Sequence, residues 1–331
     1  MLFIDSHITN PYFNLAMEEY LLKNFSEDIF ILWRNEPAII VGKNQNTISE
    51  VNVEYVKENS IPVVRRLTGG GAVFHDLGNI NFTFISTNDH KSFNNFRKFT
   101  QPIIDVLKSL NVEAEFSGRN DLVIQGRKFS GNAQCNYKDK VMHHGTLLFS
   151  SEIKDLSAAL KVKPSKFEGK AVKSVASRVT NISEHLKSTL SIIQFKGMVM
   201  NHIAKEKESG TVYKFSEEDI KNINKLVEEK YSTWQWNFGN SPKYSFTNEF
   251  KYSGGNVEIR LNVDKGLIKD VKIYGDFFGK CDVSEIENAL IGVRHCEIDI
   301  RKVLRNFEID NYFLGGNEDV LVDGFIGIKV K

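Results

Sequence analysis

The 331-residue chain is long enough for a large domain with a smaller companion, and its 41% apolar and 26% charged residues exclude a disordered or fibrous class. Forty-three basic against forty-two acidic side chains leave a net charge of +1, so there is no overall field for nucleic acid or anionic lipid and any anion site must be local. No stretch approaches the roughly 20 apolar residues of a membrane span, the N-terminus MLFIDSHITN has no signal-peptide pattern, and Cys135, Cys281 and Cys296 form no CxxC pair, so a cytoplasmic protein with reduced thiols is expected.

In NPYFNLAMEEYLLKNF, Asn10 reads as an N-cap and Pro11 as the first helical residue, with Phe13, Ala16, Met17, Tyr20 and Leu21 on one face. IFILW and AIIVG, separated by the turn-like RNEP, read as a buried hairpin, and a short helix is expected around residues 50 to 59. PVVRR leads into the glycine run of Thr68 to Gly71, after which AVFH and NFTFIS resume strand character. Apolar residues at 96, 99, 103, 107 and 110 predict a helix in which Pro102 must kink the chain or lie in the first turn. VEAEF, DLVI, RKFSG and HHGTLLFS predict further strands, with helices at about 152 to 160, 191 to 208 and 216 to 231. The last of these opens with a capping box from Ser216 and Asp219.

NFGNSPKYSFTNEF gathers Gly, Pro, Asn and Ser after a charged helix and marks a boundary, giving a large unit over 1–246 and a small one over 247–331. In the small unit Val257, Ile259, Leu261 and Val263 alternate, Asp264-Lys265-Gly266 turns the chain, and Leu267, Val271 and Ile273 alternate again, which predicts a hairpin. Helices near 283–291 and 297–307 complete it. Strands and helices mix without βαβ regularity, so the fold class expected is α+β with mixed sheets.

Three stretches carry candidate chemistry. In RRLTGGGAVFHDLGN, two arginines precede three consecutive glycines, a composition that lets backbone N–H groups approach an anion while Arg65 or Arg66 supplies a guanidinium; a tight turn with two surface arginines is the alternative. Neither a Walker A loop nor a GxGxxG fingerprint is present. In SGRNDLVIQGRKFSGNAQ, Lys128 lies between strand-like DLVI and small residues, within reach of such an anion. In MHHGTLLF, His143 and His144 must point to opposite faces of a strand, so one belongs to the core or supports the site.

These stretches, with FNLAMEEY, LWRNEPAIIVGKNQN, KSVASRVTNI and WQWNFGNSPKYSF, resemble the lipoate-protein ligase A family of the biotin and lipoate ligase superfamily over nearly the whole chain. The resemblance implies a catalytic domain of mixed β-sheets and helices, a small C-terminal α/β accessory domain, and ATP-dependent activation of lipoate to lipoyl-AMP followed by transfer to a carrier lysine, a salvage route of protein lipoylation. It implies Lys128 as the catalytic residue, contacting lipoyl carbonyl and α-phosphate. Arg66, Gly71, Ala72, Val73, Phe74, Asp121 and Ala133 join Lys128 around ATP. Trp33, Arg66, Gly69, Gly70, His75 and His144 join it around lipoate. Mg²⁺ is expected with ATP, on Asp121. The implied partners are lipoyl domains of 2-oxoacid dehydrogenase acyltransferase subunits and the glycine cleavage H protein, with no nucleic acid and no membrane, and the enzyme is expected to be a monomer. The rival readings are a cysteine-dependent octanoyl or lipoyl transferase of the same superfamily and a lipoate-binding protein without catalysis. A transferase needs an activated thiol, and residues 65–79, 117–131 and 141–149 contain no cysteine.

Overall fold

The computed structural model describes residues 1–45, 47–51, 55–56, 59–87, 92–152, 159–160, 179–206, 210–237, 246–264, 267–295 and 297–327. The chain divides into two compact units. The first comprises Met1–Val41, Thr47–Arg66 and Ala72–Asn237; the second takes Gly42–Asn46, Leu67–Gly71 and Phe238–Lys331.

The first unit is built on an eight-stranded sheet. Its strands are β1 (Leu2–Asp5), β2 (Ile29–Trp33), β6 (Asn79–Thr87), β7 (Glu115–Ser117), β8 (Asp121–Ile124), β9 (Arg127–Tyr137), β10 (Lys140–Leu148) and β11 (Thr211–Val212), in the order β11-β1-β2-β6-β10-β9-β8-β7. A three-stranded sheet is formed by β3 (Ala38–Val41), β4 (Val63–Arg65) and β5 (Val73–His75), with β3 in the middle. The hairpin expected from IFILW and AIIVG is therefore not formed: β2 and β3 enter different sheets, and both are fully buried. A continuous apolar run tells only that both strand faces are covered, not which neighbour covers them.

Helix α1 (Pro11–Asn24) begins as expected, with the Asn10 side chain accepting from the Phe13 amide at 3.1 Å and Pro11 in the first turn. Its buried face is wider than the apolar stripe, because Asn14, Glu18 and Glu19 are buried beside Phe13, Ala16, Met17 and Leu21. Helix α2 (Phe96–Ser109) is capped by Asn95 and holds Pro102 as its seventh residue, well past the first turn. Helix α3 (Ile192–Glu206) matches the expected segment, and α4 (Glu217–Leu226) has the Ser216/Asp219 capping box, continuing as a wider turn over Val227–Tyr231. Phe82, Phe84, Phe99, Phe129, Phe149 and Phe195 anchor the core of this unit. Most of the helix expected at 152–160 and most of KSVASRVTNI lie outside the described residues, as does much of the helix expected at 50–59, into whose start the helical turn Thr47–Glu50 runs.

In the second unit, β12 (Phe246–Tyr252), β13 (Gly255–Asp264) and β14 (Leu267–Gly275) form an antiparallel sheet, including the expected hairpin. Helices α5 (Ser284–Leu290), α6 (Glu297–Leu304) and α7 (Glu318–Ile326) cover one face, burying Ile259, Leu261, Phe277, Phe313 and Phe325. The alternation along β13 places Val257, Ile259 and Leu261 on that face.

Candidate active site

The central strands β2, β6, β10 and β9 bring distant sequence segments into register: Thr83 pairs with both Ile31 and His144, and His144 pairs with Ala133. Helix α1 places Glu18 against this layer. The Trp33 indole N–H donates to Thr83 Oγ1 at 3.0 Å, the Thr83 hydroxyl donates to Glu18 Oε1 at 2.6 Å, and the same carboxylate lies 2.9 Å from His144 Nδ1. Glu18 is only 2% exposed, so this network supplies the hydrogen bonds without which a buried carboxylate is strongly disfavoured. His143, one residue earlier, points into the core: its ring stacks on Phe82 and Phe99, and burial, then His144, holds its pKa well below the usual histidine range. The two histidines point to opposite faces, as expected, and His143 is the one in the core.

The two arginines separate by their partners. Arg65 donates from Nε to the Trp236 carbonyl at 3.0 Å and from Nη2 to Thr47 Oγ1 at 2.6 Å, and the Trp236 indole donates back to the Arg65 carbonyl. It ties the chain near Asn237 to β4. Arg66 is also buried, donating from Nη1 to the Ile40 carbonyl at 3.2 Å. Burial lowers its pKa to about 10, and the same buried carboxylate that orders Trp33 and His144 opposes that shift, so the guanidinium stays charged at neutral pH.

His75 ends β5. Asn35 Nδ2 lies 3.1 Å from its Nδ1, its ring meets Trp33 edge-on with centroids 6.2 Å apart, and its buried Nε2 has no protein partner among the described residues. Burial, then Arg66 and His144, hold its pKa down to about 3. Val73, Phe74 and His75 form a strand against β3, so Phe74 faces away from His75 and is buried, while Ala72 and Val73 are half-buried. The glycine run is not a hairpin turn, because β4 and β5 lie on opposite sides of β3 and do not pair. Gly69, Gly70 and Gly71 fall in the second unit. A Cβ on Gly69 would collide with the Phe277 carbonyl, Gly70 has φ 95°, and a Cβ on Gly71 would meet nothing within 4 Å among the described residues.

Lys128 lies on β9, where a bulge after Leu122 shifts the pairing with β8. Its Nζ is 2.7 Å from Asp121 Oδ1, and Gly131 leaves room for the side chain: a Cβ there would stand 2.9 Å from Nζ. Both partners of the ion pair remain more than a third exposed. Among the described residues no group of three His, Cys, Asp or Glu side chains is poised to hold a metal ion, and Asp121 is engaged by Lys128.

Trp33, Arg66, His75 and His144 thus form one cluster around Glu18, and Lys128 with Asp121 a second, on the strand that carries Ala133. Sequence reasoning missed Glu18, Thr83, Asn14 and Asn35. The one available signal was the charged pair Glu18-Glu19 in an otherwise apolar helix. Glu19 is buried too, but there burial is outweighed by hydrogen bonds from Lys23, Lys230 and Tyr231, which lower its pKa.

The chain falls in a class of enzymes that handle a lipoyl group: residues 10–204 match the lipoyl protein ligase A/B catalytic domain and residues 241–324 the bacterial lipoate protein ligase C-terminus. The chain is 49% identical to the lipoate-protein ligase LplJ of Bacillus subtilis over 95% of its own length and 96% of the relative's. Its structure is similar to that of P. falciparum LipL1 in complex with lipoate, with TM-score 0.82, 29% identity, and 98% and 99% of the two chains covered. It is also similar to a lipoate-protein ligase A bound with ATP, with TM-score 0.63, 26% identity, and 72% and 99% covered. The chain belongs to the lipoate-protein ligase family. Among the described residues no helix is long and apolar enough to cross a membrane.

Proposed function

We propose that this lipoate-protein ligase uses Lys128 as the charge clamp of both half-reactions. The observation that carries the assignment is the Lys128–Asp121 pair: an ammonium held ready 2.7 Å from a carboxylate, on a rigid strand, yet accessible enough to exchange that partner for a substrate oxygen. A lipoate carboxylate oxygen attacks the α-phosphorus of ATP and pyrophosphate leaves with the bonding pair. Negative charge grows on the α-phosphate oxygens, and Lys128, once it has exchanged Asp121 for the substrate, stabilises it together with Arg66. In the second half-reaction the neutral amine of the carrier lysine attacks the lipoyl carbonyl of the mixed anhydride. AMP departs with the bonding pair, the amine nitrogen loses its proton to solvent, and Lys128 polarises the carbonyl oxygen.

Gly71 to Phe74, Asp121 and Ala133 are assigned to ATP in this reading, and Trp33, Gly69, Gly70, His75 and His144 to lipoate. Mg²⁺ bound with the nucleotide would neutralise pyrophosphate charge. Asp121 is the assigned carboxylate, and a single carboxylate suits an ion carried in by phosphate better than a resident one. The acceptors are lipoyl domains of 2-oxoacid dehydrogenase acyltransferase subunits and the glycine cleavage H protein, and the enzyme acts as a cytoplasmic monomer. Incubation with lipoate, Mg·ATP and each purified carrier, followed by intact mass, tests this: a lipoyl increment on one lysine that requires ATP is expected, and its absence from every carrier counts against the assignment.

A further inference from the structure

The polar chain behind His75 fixes something that coordinates alone do not display, the position of a proton. Asn14 Nδ2 lies 2.8 Å from the Ile8 carbonyl oxygen, 3.0 Å from that of Arg34 and 2.9 Å from Asn35 Oδ1. Two backbone carbonyls accept only, so the Asn14 amide nitrogen must face them; flipping the amide would set oxygen against oxygen. The same nitrogen also lies against the Asn35 amide; an Asn35 NH₂ there would set donor against donor, so Asn35 turns its Oδ1 to it and shares an N–H with the carbonyls, which orients the second amide in turn. Asn35 then presents its NH₂ to His75 Nδ1 at 3.1 Å. A donor facing Nδ1 requires a lone pair there, and in a neutral imidazole the proton then sits on Nε2. Asn14, Asn35 and His75 are all buried, so water does not scramble this order.

The outer end of the chain is unmet. His75 Nε2 is buried and has no partner among the described residues. Arg66 and His144 are its electrostatic neighbours, and both disfavour a second proton on the ring. A buried N–H without an acceptor is costly, and an alkyl chain or a sulfur is a poor acceptor, whereas an acyl oxygen is a good one.

We infer that Asn35, held by Asn14, locks His75 in the Nε2–H tautomer, so that the ring is a standing donor to an oxygen of the bound acyl group. Asn35 is a positioning residue acting through His75; the identity of the acceptor rests on the lipoate site proposed above, whereas the tautomer does not.

Long-range proton–nitrogen correlation spectra of the full chain, labelled with ¹⁵N-histidine, read the tautomer directly. Nε2 protonated and Nδ1 bare, between about pH 6 and 8 where free histidine titrates, is the expected result. A ring protonated on Nδ1, or on both nitrogens, overturns the inference. The N35D substitution keeps the shape and the Asn14 bond but replaces the donor with a carboxylate, which calls for a proton on Nδ1. It should flip the ring and raise KM for lipoate in pyrophosphate exchange by roughly tenfold to a hundredfold, with kcat much less affected. In an H75Q background, whose amide nitrogen can take the place of Nε2, there is no ring to flip, and N35D should add less than about twofold. An equal loss in both backgrounds would reduce Asn35 to a structural role and sink the proposal, as would a flipped ring with unchanged KM. The spectrum of the wild type needs no ligand, so it decides the positioning role even if lipoate-dependent exchange were absent, a result that would count against the functional reading instead.

Discussion

Lys128 with Asp121 and His144 with Glu18 are pairs of nearly equal length, 2.7 and 2.9 Å, in opposite surroundings. The first has side chains 39% and 36% exposed; the second, 11% and 2%. An exposed pair is held weakly against water and can exchange partners, so its lysine is available to a substrate. A buried one cannot open without stranding a charge, so it serves to fix the groups around it. The same geometry therefore gives a clamp in one region and a scaffold in the other.

The largest effect expected from breaking this contrast is at the scaffold. Glu18→Ala removes the acceptor of Thr83 and a partner of His144, and takes away a negative charge that favours the buried Arg66 cation. A stability loss of about 3–5 kcal/mol is expected in urea unfolding. Asp121→Ala, at the exposed pair, should cost less than about 1 kcal/mol by the same measurement. Equal losses would erase the distinction. Lys128→Ala should then show the converse profile: near-normal unfolding, with lipoate-dependent pyrophosphate exchange reduced roughly a hundredfold, about 3 kcal/mol of transition-state stabilisation. Near-normal exchange by the folded variant would remove Lys128 from the chemistry.

The glycine run makes the next contrast, within four residues. Gly69→Ala forces a Cβ onto the Phe277 carbonyl and should cost about 1–3 kcal/mol of stability, read as a lower urea midpoint. The Cβ of Gly71→Ala would meet no atom within 4 Å among the described residues, so the substitution should leave stability within about 0.5 kcal/mol while raising KM for ATP, because the space it fills is assigned to the nucleotide. A Gly71→Ala variant with unchanged KM would move the nucleotide elsewhere.

Acid sharpens the scaffold side further. Burial, Arg66 and His144 bring His75 from the ordinary 6.5 down to about 3, so the unfolded chain binds this proton more readily than the folded one. The stability contributed is complete above about pH 6.5 and is lost as the pH falls toward 3, by up to roughly 1.4 kcal/mol per pH unit. His143, also pushed down by burial and His144, adds in the same direction. Urea midpoints at about pH 7 and 5 should fall less steeply with acid in His75→Gln than in the wild type; parallel slopes would show that His75 is not held neutral.

What sequence could disclose follows the same division. The arginine pair and the glycine run stand out by composition alone, while the choice of Arg66 and the notice given to Lys128 come from the family resemblance; Ser216, Asn10 and Pro11 act through neighbours a few residues away, so local patterns reached them. Glu18 is ordered by Thr83 and His144, 65 and 126 residues distant, and Asn35 by Asn14 and His75 on separate elements. Such pairings exist only once strands are in register, and no local period encodes them. The missed hairpin has the same cause: burial of β2 and β3 is written in their residues, while their sheet partners, β6 and β4, arrive from far along the chain.

The smallest effect concerns the thiols, and it tests whether the clamp is all the chemistry the site needs. A transferase that carries the acyl group as a thioester needs a thiol whose pKa is lowered by a cation or a helix N-terminus. Cys281 is exposed and its pKa is raised, by partial burial and then by Glu285, the wrong direction for a nucleophile. Cys296 lies outside the described residues. Cys135 is the thiol on a site-bearing strand: it pairs with Met142, two positions in register from the Ala133–His144 pair, and is half-buried. Cys135→Ser exchanges sulfur for a smaller, poorer nucleophile at nearly constant shape, so it separates covalent catalysis from packing. If the adenylate is the activated species, ATP-dependent lipoylation of a carrier should stay within about twofold of wild type and stability within about 1 kcal/mol. Loss of transfer from preformed lipoyl-adenylate, with normal pyrophosphate exchange and normal unfolding, would place a thioester between the two half-reactions and take the second of them away from Lys128.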